Sequence, residues 1–123
     1  TKPSTRRIVI FGSNVSRIGL PNGTAYSASK AAISNLCRSL SIELGPQNIL
    51  INTISPGPIE IDNSHFSPEY RKFREQYYEE MLKQTPLKRL AKPEDIVSFA
   101  SFLISEENNF ITGEEFFITG GKL

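Results

Sequence analysis

Tyr26 and Lys30 lie four residues apart in the stretch AYSASKAAI (residues 25–33), among small side chains. Four residues make about one turn of an α-helix, so a helix here would place the phenol and the ammonium on one face. The small neighbours would let a large molecule approach that face. Tyr and Lys at this spacing also occur on ordinary solvent-exposed helices, so the pair alone leaves both interpretations open.

A phenol, an ammonium and a hydroxyl together suit the transfer of a proton to or from an alcohol or carbonyl oxygen. The pKa of a free tyrosine is about 10, which is too high for efficient acid–base catalysis at neutral pH. The ammonium of Lys30 would favour the phenolate and lower the pKa of Tyr26. Ser13 could hold the reacting oxygen against Tyr26 by a hydrogen bond. None of these groups can accept a hydride, so a redox reaction would need an organic cofactor.

The elements that must position these residues are predicted to be alternating strands and helices. The predicted strands are short β-branched or aromatic runs: RRIVIF (6–11), NILINTIS (48–55) and EEFFITGG (114–121). Three helices are predicted. The first spans about residues 24–44, the second begins after a capping Ser67 with Pro68 and Glu69, and the third begins at Pro93. This βαβαβ order predicts a parallel sheet with helices packed against its faces.

In an open sheet of this kind, ligands bind at the carboxyl ends of the strands. In this sequence those ends carry Gly12-Ser13, the run 55–58 (Ser-Pro-Gly-Pro) and the run 119–121 (Thr-Gly-Gly). The beginning of the Tyr26/Lys30 helix can lie at the same edge. We therefore expect one functional site at this edge of the sheet.

The bulk properties narrow the class of protein. The chain of 123 residues fits one small domain, and its formal net charge is +1, with 14 basic and 13 acidic residues. This balance gives no electrostatic basis for binding nucleic acid or an anionic membrane. Its apolar runs are too short to span a bilayer, and its opening passes into a strand pattern without the features of a signal segment.

The single cysteine, Cys37, excludes an internal disulfide and fits a reducing compartment. Its position in a helical apolar pattern favours a buried, inert thiol over a nucleophile. From these properties we expect a soluble, cytoplasmic protein.

The residues around the Tyr/Lys pair resemble the short-chain dehydrogenase/reductase family. The run Tyr26-Ser-Ala-Ser-Lys30 matches its Tyr-x-x-x-Lys motif, and Ser13 stands where the family has a serine after the preceding strand. Ser16 is a second candidate for that serine, ranked behind Ser13. NTISPGPIE resembles the family segment that follows its sixth strand, and residues 89–121 resemble the family's C-terminal end.

The resemblance implies an NAD(P)-dependent oxidoreductase that interconverts a hydroxyl and a carbonyl on a small-molecule substrate. Tyr26 would be the general acid/base, Lys30 would lower its pKa and bind the nicotinamide ribose, and Ser13 would position the substrate oxygen. The backbone that would line the nicotinamide pocket belongs to four consecutive residues: Pro56, Gly57, Pro58 and Ile59. No metal is implied.

The family also implies a homodimer or homotetramer, with the helix of residues 24–44 and the Glu94–Ile104 helix at subunit interfaces. A catalytically silent fragment that serves as an oligomerising or scaffolding module is the alternative.

Three departures from the family pattern bear on these expectations. Ile61 stands where the family usually has a Thr that touches the cofactor, so that contact is lost or supplied by another group such as Ser64. The last strand ends in Thr119-Gly-Gly where Asp-Gly-Gly is usual. The Gly-rich phosphate loop, the ribose-reading residue and the catalytic Asn of the family have no counterpart here.

The resemblance therefore predicts the fold class as the second half of a Rossmann-like doubly wound parallel sheet. Residues 1–123 would form the C-terminal half of a single domain whose Gly-rich nucleotide-binding half is absent. Such a chain is expected to be inactive and self-associating by itself. The choice between NAD and NADP, and the identity of the substrate, do not follow from these residues.

Two smaller signals remain. His65, the only histidine, has no cluster of ligands beside it in the sequence and is predicted to be a loop residue. The helix after Ser67 carries an aromatic stripe, which is most simply a core face but in the family belongs to a mobile lid over the substrate: Tyr70, Phe73, Tyr77 and Met81. Its charged residues are predicted to form a solvated face: Arg71, Lys72, Arg74, Glu75, Glu79 and Glu80.

Overall fold

The chain folds as a three-stranded parallel sheet with helices on its two faces. The structure, a computed structural model, describes residues 4–122. Its strands are β1 (Arg6–Phe11), β2 (Ile49–Pro56) and β3 (Glu115–Ile118), in the order β1-β2-β3. Its helices are α1 (Val15–Ile18), α2 (Thr24–Leu44), α3 (Pro68–Gln84) and α4 (Pro93–Ile104), and a 3-10 turn (Gly45–Gln47) joins α2 to β2. The predicted α/β class and parallel sheet are confirmed.

The differences from the predicted elements are small. Helix α1 was not predicted, because four residues are too few to show a helical period. Strand β3 is shorter than the predicted 114–121. Gly120 and Gly121 have φ angles of +66° and +94°, which end the extended conformation and turn the chain away from the sheet.

Strand β2 is the buried centre of the fold. Its residues from Ile49 to Ser55 are all buried, and it is hydrogen-bonded to β1 on one side and to β3 on the other. On one face Ile54 packs with Ile96 and Leu103 of α4 in the hydrophobic core. A strand flanked in this way has its polar backbone satisfied on both edges, so it can be fully buried.

Helix α2 covers the opposite face of the sheet. Its buried residues are Ser34 and Cys37, and the Cys37 thiol donates a hydrogen bond to the Ile51 carbonyl (3.4 Å). Burial raises the pKa of the Cys37 thiol above its ordinary value. The expected burial of this cysteine is confirmed. Within residues 4–122 no helix has the length and apolar character needed to cross a bilayer.

The start of α4 is fixed by the carboxylate of Asp95. The guanidinium of Arg89 donates two hydrogen bonds to it, at 2.6 and 3.1 Å, and the backbone N–H of Lys92 donates a third at 2.7 Å. These charge-assisted contacts, that of Arg89 foremost, lower the pKa of Asp95 from 3.8 to about 2. The carboxylate therefore caps the helix and ties it to the preceding segment.

We predict that Asp95→Asn lowers the melting temperature by a few degrees at pH 7, because the amide replaces a charged acceptor of three hydrogen bonds. The folded-state pKa of Asp95 lies below its ordinary value, so its contribution is full above about pH 4 and is lost as the pH falls through about 2. Thermal unfolding is followed by circular dichroism from pH 7 to pH 2. The melting temperatures of the wild type and of Asp95→Asn should converge at the acid end.

The matched control is Glu94→Gln, which removes a charge from the same helical turn. The side chain of Glu94 makes no hydrogen bond within the described residues, so we expect its effect to be smaller. An equal decrease of the melting temperature in both variants would mean that Asp95 acts only through its negative charge near the helix terminus and not through its hydrogen bonds.

Candidate functional site

The carboxyl ends of the three strands are joined by backbone hydrogen bonds. The N–H of Asn14 donates to the carbonyl of Pro56 (3.1 Å), and the N–H of Gly57 donates to the carbonyl of Ile118 (2.9 Å). A side chain at Gly57 would begin 3.3 Å from Cα of Thr119, so glycine permits this close approach. The loop that contains Ser13, the end of β2 and the end of β3 therefore lie side by side, as the sequence predicted.

Tyr26 and Lys30 lie on one face of α2, near its beginning. The Lys30 ammonium nitrogen is 5.6 Å from the centroid of the Tyr26 ring, and 50% of Tyr26 is exposed. The predicted juxtaposition is confirmed. A half-exposed phenol with an ammonium beside it is available to a ligand that approaches from solvent.

Ser13 lies in the loop after β1, and Ser16 lies one turn further along in α1. The backbone N–H of Val15 donates to the Ser13 hydroxyl oxygen (3.3 Å). Within residues 4–122 Ser13 and Tyr26 are not hydrogen-bonded to each other, so the hydroxyl proton of Ser13 remains free to meet a third group. The Ser16 hydroxyl instead donates to the carboxylate of Glu115 (3.0 Å), so Ser16 is already engaged within the fold.

The segment from Pro56 to Ile59 presents unpaired backbone groups at this edge. Ala91 bonds to the two peptide groups that flank Ile59, receiving a hydrogen bond from the N–H of Glu60 (2.8 Å) and donating one to the carbonyl of Pro58 (3.1 Å). Successive peptide groups of an extended chain point in opposite directions. The N–H and C=O of Ile59 therefore face away from Ala91, and they make no hydrogen bond within the described part of the chain.

The aromatic stripe of α3 borders an open cleft, and its interpretation as a core face is wrong. No residue of α3 is buried, and 45% of Tyr70 and 61% of Phe73 are exposed. The stripe forms one wall of a cleft of about 910 Å³, and α1 with the loop that follows it (residues 19–22) forms the other. A stripe at helical spacing predicts one apolar face but does not say whether protein or ligand covers it.

Tyr77 is a half-buried phenol in the wall of this cleft. Burial is the main cause that raises the pKa of Tyr77, and the nearby phenols of Tyr78 and Tyr26 raise it further. Tyr77 therefore stays protonated near neutral pH.

Arg74 was assigned to the solvated face of α3, and this assignment is wrong. Its guanidinium carbon lies 5.1 Å from the ring centroid of Phe66 and 5.0 Å from that of Tyr78, whose hydroxyl accepts a hydrogen bond from it. Its Nε is buried and has no hydrogen-bond partner within the described residues. Arg74 thus lines the cleft as a cation held against aromatic rings.

The loop between β2 and α3 bears on two of the sequence expectations. Ile61 is 45% exposed, and the hydroxyl and N–H of Ser64 both donate to the carboxylate of Asp62 (3.0 and 2.8 Å), which lowers the pKa of that carboxyl. Ser64 is therefore already engaged locally. His65 packs against the ring of Phe66 (4.1 Å between centroids), and residues 4–122 contain no cluster of side chains suited to a metal ion.

The comparisons with known proteins identify relatives of this chain. A family model described as enoyl-(acyl carrier protein) reductase matches residues 2–122. The chain is 38% identical over 115 residues to rat dehydrogenase/reductase SDR family member 4, covering 93% of this chain and 39% of that protein. It is 38% identical over 102 residues to the 7α-hydroxysteroid dehydrogenase of Escherichia coli K12, covering 81% and 37%.

Solved structures show the same relation. A 3-oxoacyl-(acyl carrier protein) reductase from Agrobacterium tumefaciens with NADP bound has a TM-score of 0.80 and 35% identity, over 94% of this chain and 44% of that one. A 7α-hydroxysteroid dehydrogenase in complex with NADH and 7-oxo glycochenodeoxycholic acid has a TM-score of 0.79 and 34% identity, over 95% and 44%. The chain thus spans about two fifths of the length of the curated relatives that it matches.

We predict that Gly12→Ala displaces the loop that carries Ser13. The new Cβ would stand 2.6 Å from the hydroxyl oxygen of Ser55, which is fully buried and donates to Glu115 at 2.6 Å, so it cannot move without losing that bond. Overpacking of this kind costs about 1–3 kcal/mol of unfolding free energy. Denaturant unfolding of the variant measures the loss.

Two further variants show whether this contact is the cause. In a Ser55→Ala background the Gly12→Ala penalty should fall by at least half, because the clashing oxygen is gone. Gly45→Ala should leave stability nearly unchanged, since a Cβ there meets no atom within 4 Å. Simple additivity of the two substitutions at 12 and 55 would rule out the steric explanation.

Proposed function

We propose a function for this chain from the family to which it belongs, the short-chain dehydrogenases/reductases. The chain carries the proton-transfer and nicotinamide-facing part of an NAD(P)-dependent oxidoreductase that interconverts a hydroxyl and a carbonyl on a small molecule. The observation that carries the proposal is the placement of Lys30 5.6 Å from the half-exposed ring of Tyr26, near the beginning of α2.

In this mechanism Tyr26 is the general acid/base. Its phenol gives a proton to the carbonyl oxygen during reduction and takes it back from the alcohol during oxidation. The ammonium of Lys30 stabilises the phenolate that forms when the proton leaves. The Ser13 hydroxyl, whose oxygen accepts from the N–H of Val15, donates its proton to the same substrate oxygen and holds it in place.

The groups at the end of β2 fit a nicotinamide cofactor. The free N–H and C=O of Ile59 form a donor and an acceptor side by side, which is the complement of a carboxamide. Pro56, Gly57 and Pro58 shape the adjoining wall, and Lys30 with Tyr26 would bind the ribose. When bound, the nicotinamide ring supplies or accepts the hydride, which no side chain of this chain can do.

The proposal includes self-association. Several large apolar side chains on the outer faces of α2 and α4 are exposed: Leu36 (50%), Ile42 (78%), Val97 (58%) and Ile104 (54%). Exposed apolar groups on helices at both faces of the sheet favour a homodimer or homotetramer. The free, buried thiol of Cys37 fits a cytoplasmic location. The same exposed faces also support the alternative function, a catalytically silent oligomerising or scaffolding module.

We predict that Tyr26→Phe in the full-length protein lowers kcat at least ~100-fold, because it removes the proton donor and keeps the ring. Ketone reduction with NADH or NADPH, tested on steroid ketones and 3-oxoacyl thioesters, measures the loss. Cofactor affinity, measured by fluorescence titration, should change less than twofold.

The control for this variant is Ser39→Ala, which removes a hydroxyl from an exposed position of the same helix and should leave kcat unchanged. Retention of more than a few per cent of kcat by the Phe variant would remove Tyr26 from the mechanism. Absence of turnover in the wild type, together with intact self-association, would favour the scaffolding alternative.

We predict that Lys30→Ala damages both turnover and cofactor affinity, with kcat and the dissociation constant each worse by at least ~10-fold. The reason is that one ammonium has two proposed partners, the phenolate and the ribose. Arg38→Ala, which removes an exposed cation further along α2, is the matched control and should change neither quantity. A loss of kcat at an unchanged dissociation constant would withdraw the ribose contact.

A further inference from the structure

Lys122 is a buried cation that has no counter-charge among the described residues. Only 7% of the residue is exposed, and its ammonium donates a hydrogen bond to the thioether sulfur of Met81 (3.0 Å). A thioether is a weak acceptor and carries no charge. Within residues 4–122 no carboxylate lies within ion-pair distance of this ammonium. Lysine is rarely buried without a partner, since the desolvation of its charge is then uncompensated.

The fold holds Lys122 in this position. The positive φ angles of Gly120 and Gly121 turn the chain back from β3, and the N–H of Leu87 donates to the carbonyl of Gly120 (3.2 Å). A side chain at Gly121 would begin 2.9 Å from Cγ of Pro86, just beyond α3, so the turn is packed tightly against the end of that helix. The ammonium is therefore fixed at the cleft wall instead of moving freely in solvent.

The cleft that Lys122 lines is cationic and aromatic. Its other cation is Arg74, and its lining contains no Asp or Glu. Tyr77, one helical turn before Met81 on α3, lines the same cleft. A ligand in this cleft would meet the aromatic rings of α3, the guanidinium of Arg74 and the ammonium of Lys122.

We infer that this cleft selects substrates with an apolar body and a carboxylate remote from the reacting carbon, and that Lys122 binds the carboxylate while Arg74 adds positive charge. The inference depends on the proposed function only in naming the occupant as a substrate. The binding of an anion to Lys122 requires no turnover. The ionised acid supplies the counter-charge that Lys122 lacks among the described residues, and the burial of Lys122 strengthens the pair.

The test compares two ligands of the same shape by isothermal titration calorimetry on the full-length protein at pH 7.5: 6-phenylhexanoate and 6-phenylhexan-1-ol. We expect the carboxylate to bind at least tenfold more tightly. Lys122→Met, which keeps length and removes charge, should bring the two dissociation constants within twofold of each other without weakening the alcohol. Lys72→Gln, at an exposed position of α3 outside the cleft, should leave the preference unchanged.

Equal affinity of the wild type for the two ligands would overturn the inference, as would a preference that survives in Lys122→Met. If Lys122→Met does not fold, Lys122→Gln and the wild-type comparison decide the question alone. A kinetic measurement separates this inference from the proposed function: 6-oxo-6-phenylhexanoate should have a higher kcat/KM than its methyl ester. Turnover of both compounds at equal kcat/KM would contradict the inference and support the proposed function. Anion-selective binding without turnover would support the inference and contradict the proposed function.

Discussion

The pairing of β2 on both of its edges is the constraint on which the rest of the structure depends. Because β1 and β3 satisfy its backbone, β2 can be buried from Ile49 to Ser55 and can support a helix on each face. The pairing also brings the three carboxyl ends together. The backbone hydrogen bonds from Asn14 to Pro56 and from Gly57 to Ile118 extend this pairing beyond the strands. Backbone contacts therefore fix the positions of the loops at the site.

The same constraint divides the two faces of the sheet by chemistry. Ile54 faces the apolar core beneath α4, whereas its neighbours Thr53 and Ser55 point toward the other face. There Glu115 of β3 accepts hydrogen bonds from Ser55 and from Ser16 in α1. This polar network fixes the segment that follows Ser13, so the position of a loop residue depends on a carboxylate far from it in sequence.

The parts of the structure that the sequence predicted are those set by local patterns. The period of apolar residues and the stop signal Gly45-Pro46 located α2, and the one-turn spacing placed Tyr26 beside Lys30. The predicted edge of the sheet followed from strand order alone, because parallel strands end at the same side. Local patterns did not predict the role of each site residue. The roles came from the family resemblance and stay proposals.

The errors concern α3 and the C-terminal turn, and they share a physical cause. A helical stripe such as Tyr70 to Met81 reports that one face is apolar, but a core and a ligand cleft both satisfy that pattern. Arg74 was predicted to be solvated because it is charged. In the fold, the loop before α3 and α3 itself place the rings of Phe66 and Tyr78 beside its guanidinium. Lys122 gave no signal at all. Its burial depends on the φ angles of two glycines and on the end of α3, about forty residues earlier, and such long-range packing leaves no local period to read.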